Sequence, residues 1–118
     1  MAALIPPDPR RVRAGARSIS RYGKVMVIGC LQARISIPAA QSLKDKRMVL
    51  RSLKDRMLNK MNVSVAEVDH QDVWKSCVLA VVTVAATKDV VESRLADVSE
   101  FIRSNPEIVL IDIRLEVL

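Results

Sequence analysis

The chain of 118 residues is short of the residues on which most recognisable chemistries rest. It holds one histidine, His70, two cysteines, Cys30 and Cys77, and three glycines, Gly15, Gly23 and Gly29. None of the glycines stands in a phosphate-cradling spacing, which excludes a P-loop or a dinucleotide fingerprint. The cysteines lie far apart in apolar surroundings without a basic neighbour. They read as unpaired structural thiols in a reducing compartment, not as a zinc site, a redox pair or a nucleophile. Aromatics make up only 3% of the chain, so stacking of nucleobases is poorly provided for. No apolar run reaches the roughly 18 residues of a bilayer span, and the first 24 residues lack the apolar centre of a secretory signal. These absences predict a soluble, cytoplasmic protein with no membrane contact. No metal or cofactor is expected.

What is present suits one globular domain with one core: half of the residues are apolar and 27% are charged. A domain of this size is stable by a modest margin that oligomerisation would widen. The net charge of +6 is unevenly placed. Residues 1–24 carry six basic groups against Asp8, residues 44–60 carry seven against Asp45 and Asp55, and residues 61–118 are net acidic. Residues 25–118 form an electrically polarised domain. Residues 1–24, rich in Pro and Arg and without apolar periodicity, are expected to be a disordered basic extension. Their make-up also fits a transit peptide, or a true start at Met26.

Alternating polarity predicts a strand over residues 25–37, with Leu31, Ala33, Ile35 and Ile37 on one face and Gln32, Arg34 and Ser36 on the other. Ser42, with Asp45 three residues on, reads as a reciprocal N-terminal capping pair. A helix over 43–61 follows, with Leu43, Leu50, Leu53, Met57 and Met61 on one stripe. Residues 63–68 and 78–86 are apolar and β-branched, as in a hairpin with a polar connection. Thr87 caps a helix over 88–104 on Val91, Leu95, Val98 and Ile102. Over 109–117, Ile111, Ile113, Leu115 and Val117 are expected inward. The order βαββαβ predicts a ferredoxin-like α+β fold, a four-stranded antiparallel sheet with both helices on one face. The other face is open to a partner. With Ala80, Val82 and Val84 turned inward, it would carry Ile28, Arg34, Leu79, Val81 and Arg114 as the surface of a homodimer.

The segment VSVAEVDHQDVW gathers Glu67, Asp69, His70, Gln71, Asp72 and Trp74. A metal site or a hydrolase needs Asp69, His70 and Asp72 to converge. Neighbouring strand residues point to opposite faces, so a turn is the better reading: Asp69 and Asp72 cap turn amides, His70 bonds the backbone, and Trp74 covers the hairpin end of the core. The same segment is also a candidate loop for a small ligand or a protein. On the first helix, Lys44, Arg47, Arg51 and Lys54 fall within about 80° of one another, with Lys46 near the apolar side and expected to snorkel outward. They form a candidate phosphate-binding ridge, set against the plainer reading of a solvated face with pairs such as Arg51 with Asp55.

Taken together, MVIG opening the first strand, SLKDKR opening the first helix and VSVAEVDHQDVW at the hairpin resemble the YlxP-like family of small bacterial proteins. The resemblance covers Met26 to Leu118. It departs at Asp45, where glutamate is more usual, and in the added first 25 residues. It implies a ferredoxin-like fold and a domain of unknown function. Its genes often lie beside those for transcription-elongation factors, translation-initiation factors and ribosome-binding factor A. That company implies a partner such as rRNA or a ribosomal particle. The expectation is a non-catalytic accessory protein; the alternative is a self-associating interaction module that uses the open face and the His70 loop.

Overall fold

The computed structural model describes residues 26–70 and 73–118. The expected extension over 1–24, together with Gln71 and Asp72, lies outside the described residues. The elements are β1 (Val27–Ser36), α1 (Leu43–Lys60), β2 (Ser64–Asp69), β3 (Ser76–Ala85), α2 (Lys88–Arg103) and β4 (Val109–Val117). The strands form one antiparallel sheet in the order β2-β3-β1-β4. Each helix connects two strands that are not neighbours, which is the ferredoxin-like α+β arrangement. Among the described residues no helix is long and apolar enough to cross a membrane.

Local chemistry sets the helix starts. Ser42 Oγ accepts from the Asp45 amide at 3.0 Å, and Asp45 Oδ2 accepts from Gln41 N at 3.0 Å. The return bond therefore goes one residue beyond the expected reciprocal partner. Thr87 Oγ1 accepts from Val90 N. Such caps satisfy amides that the first turn leaves without partners.

The core lies between the helices and one sheet face: Leu31, Ala33 and Ile35 of β1, Cys77, Leu79 and Val81 of β3, Leu53 and Met57 of α1, and Val91, Leu95, Val98 and Ile102 of α2. Gly29 lets α2 approach β1 closely. A Cβ there would run into a Val91 methyl and meet Leu95 Cδ1 at 3.0 Å.

Two face assignments differ from expectation. Leu79 and Val81 are core residues, so the open face receives Val78, Ala80, Val82 and Val84 instead. Pairing decides this, because Leu31 stands opposite Val81, Ala33 opposite Leu79 and Ile35 opposite Cys77. Antiparallel partners share a face, so the inward residues of β1 carry theirs inward. In β4 a bulge shifts the register between Arg34 and Ile35, pairing Asp112 and Leu110 with them. Ile111 becomes the additional residue and stays exposed, while Leu110 packs on the core.

Candidate functional site

Lys46 is the least expected residue of the fold. It sits in the first turns of α1 on the stripe of Leu50, Leu53 and Met57, and it is 1% exposed. The expected outward path for this side chain is therefore wrong. Continuing the core stripe towards the N-terminus of the helix leads directly to position 46, and the ammonium finds acceptors inside. Nζ donates to the carbonyls of His70 at 2.6 Å and Val73 at 2.7 Å, and it pairs with Glu67 Oε2 at 2.7 Å. An ammonium has three N–H donors, and each has an acceptor here.

Glu67 reaches this position because β2 turns Val65 and Glu67 to the helix side, with Glu67 opposite Leu79. Its side chain is 26% exposed, so it joins the buried ammonium to the surface. Cys77 lies beside it. Burial, then the charge of Glu67 and a hydrogen bond to that carboxylate, push the Cys77 thiol up to about 12, against a smaller opposing effect of Lys46. A thiol so held is a poor nucleophile at neutral pH. On the open face, burial and the charge of Glu116 raise Cys30 as well.

The described ends of the His70 loop are tied by local bonds. His70 has φ of 62°, a left-handed conformation costly for a residue with a Cβ. Asp69 Oδ1 accepts from the His70 amide at 2.8 Å, and the Val73 amide donates to the His70 carbonyl at 3.1 Å. The imidazole Nδ1 lies 3.1 Å from Ser76 Oγ. The ring thus bonds a side chain, not the backbone as expected. Trp74 is 47% exposed and is not among the side chains packed on the core, so the expected cover over the hairpin end is not seen. Among the described residues no group of three His, Cys, Asp or Glu side chains is placed to hold a metal ion.

The basic residues of α1 have different surroundings. Arg56 and Lys60 sit over the Phe101 ring of α2, 5.8 and 5.4 Å from its centroid, in cation–π contacts. Lys44, Arg47, Arg51 and Lys54 are exposed and form no ion pair among the described residues. The expected Arg51 to Asp55 pair is thus not made. Arg47, Arg51 and Lys54 line a cleft of about 410 Å³ between α1 and β2, whose walls include Leu50, Leu53, Val65, Leu79, Asp55 and Glu67. Lys44 is not among the lining residues.

Residues 28–115 match the sequence pattern of the family described as "Protein of unknown function (DUF503)". The chain belongs to the DUF503 family. One similar protein is "Uncharacterized protein YlxP" of Bacillus subtilis (strain 168), 38% identical over 82 residues that span 70% of this chain and 89% of that protein. Among solved structures, "De novo designed protein Foldit4" resembles the chain with a TM-score of 0.46 and 10% identity, over 79% of this chain and 96% of the other. In this DUF503 chain, residue reasoning brought forward the ridge and the loop but missed that Lys46 and Glu67 bind them together. The signal was there: Lys46 continues the core stripe of α1, and Glu67 shares the inward parity of Val65 on β2.

Proposed function

We propose that this DUF503 chain is a non-catalytic accessory protein that holds RNA, such as rRNA in a ribosomal particle, by its phosphates along α1. One observation carries the reading: Arg47, Arg51 and Lys54 line a single cleft and spend their charge on no ion pair among the described residues. A surface of exposed guanidinium and ammonium groups suits phosphate oxygens, which attract it without regard to base sequence. Phe101 is already engaged by Arg56 and Lys60, and the open sheet face carries no aromatic residue. Base readout of the kind that stacks nucleobases on a sheet is therefore not part of the proposal. The role implies a cytoplasmic setting.

The test is filter binding of the full chain to structured and single-stranded RNA across a salt series, beside a variant with Arg47, Arg51 and Lys54 changed to Gln. Each phosphate contact contributes about 0.7 to the logarithmic salt slope for single strands, so losing three should flatten it by about 2. Any contribution of residues 1–24 is common to both proteins and cancels in the comparison. Equal slopes for the two proteins, with folding unchanged, would remove the ridge from the function.

A further inference from the structure

The sheet face turned away from the helices has its own composition. Its rungs run Ser64, Val82, Cys30 and Glu116, then Ala66, Ala80, Gln32 and Arg114, with Asp69, Val78, Arg34 and Asp112 on the next. Beyond the first rung, Ile28 stands opposite Val84. Val82 and Val84, on the interior strand β3, are 43% and 46% exposed, whereas side chains of this kind are usually covered. Together with Met26, Ile28 and Ser64 they border a shallow hollow of about 430 Å³. β-branched residues fill the surface between small ones, Ala66, Ala80, Ser64 and Cys30, which allow a second sheet to approach closely.

The charged groups of this face are Arg34 and Arg114, set against Asp69, Asp112 and Glu116. Opposite signs balance to within one charge, and Arg114 Nε already lies 4.0 Å from Asp112 Oδ2. A face so close to neutral does not attract a polyanion, and it repels a copy of itself only weakly. Its size also fits. Four strands about 4.8 Å apart and up to ten residues long give roughly 600 Å² per copy, or about 1,200 Å² in a pair, at the lower end of specific interfaces.

We propose that a second copy of this chain covers the open sheet face. Two sheets then pack face to face around Val82, Val84, Ile28 and Cys30, in an isologous dimer whose helices and Arg47 cleft stay outside. The inference is independent of RNA binding, because the two surfaces lie on opposite sides of the sheet. The modest area implies a dimer that dissociates on dilution.

Cys30 supplies an internal probe, since it lies within the patch while Cys77 is buried in the core. The experiment is sedimentation equilibrium of the full chain over a wide concentration range, with the rate of N-ethylmaleimide alkylation of Cys30 measured on the same samples. A dimer mass at high concentration, with Cys30 alkylation slowing as the mass rises, is the expected result. Val82→Lys should weaken association by about tenfold or more, which is 1.4 kcal/mol. Met48→Lys, at an exposed position on α1, should leave it unchanged. A monomer at every concentration overturns the proposal. So does a dimer in which Cys30 reacts as fast as in dilute protein, which would put the contact elsewhere. A monomer with Cys30 shielded throughout would assign the face to another segment of the same chain, and overturns it equally. If Val82→Lys does not fold, the wild-type mass and alkylation data still decide.

Discussion

Replacing Lys46 with Met tests the central arrangement of this fold. Met keeps most of the stem volume, so the change creates little cavity and acts through the lost ammonium. Three acceptors lose their donor together: the carbonyls of His70 and Val73 and the carboxylate of Glu67. Removing one partner of a buried pair costs about 3–5 kcal/mol, because the other charge stays behind without its counter-ion. Glu67 is 26% exposed and water can reach it, so the lower end, about 3 kcal/mol, is expected. With a urea dependence of about 1–1.5 kcal/mol/M, the unfolding midpoint should fall by about 2–3 M. The melting temperature should fall by roughly 12–24 °C. Adding Glu67→Leu to Lys46→Met removes the stranded charge and should recover more than half of the loss. A single variant losing less than about 1 kcal/mol would refute the reasoning, since the loop carbonyls and Glu67 would then be served equally well by water.

Further outcomes follow from the same geometry. Gly29→Ala should cost about 1–3 kcal/mol in chemical denaturation, because the added methyl meets Val91 and Leu95 across the β1–α2 contact. The Cys77 thiol is raised from 9.0 to about 12, so its contribution to stability is complete below pH 9 and is lost as pH rises towards 12. Urea midpoints across that window should fall more steeply for the wild type than for Cys77→Ala; parallel curves would contradict the shift. His70→Asn places a residue tolerant of left-handed backbone at φ 62° and should change stability by less than about 1 kcal/mol. Unfolding curves check this, and RNA binding surviving unchanged would agree with a turn role for the imidazole.

Much of the architecture was legible without coordinates because it is encoded locally. Ser42 and Thr87 mark helix starts by their capping chemistry, and the stripes of α1 and α2 repeat at the helical period. The inward face of β1 was readable from Leu31, Ala33 and Ile35 alternating with Gln32, Arg34 and Ser36. β3 offered no such contrast. Cys77, Leu79 and Val81 are as apolar as Val78, Val82 and Val84, and a period of two carries no direction when both faces are hydrophobic. In β4 the alternation was present but misleading, since a bulge moved Leu110 rather than Ile111 onto the core.

The candidate site divides in the same way. Arg47, Arg51 and Lys54 could be grouped from sequence because helical spacing alone puts them on one side of α1. That they share a cleft with Val65 and Leu79 depends on α1 lying beside the edge strand β2. Lys46 is the clearest case. A lysine in a basic helix reads as a solvated cation, because hydration of its charge outweighs any packing of its stem. Burial becomes favourable only where acceptors converge, and these come from residues 67, 70 and 73, more than twenty positions away in the chain. The sequence by itself determined the order of elements, the helix starts and the charge of α1, which depend on neighbours a few residues apart. Strand facing, the bulge and the buried ammonium were decided only by tertiary structure, because each depends on which distant residue ends up opposite.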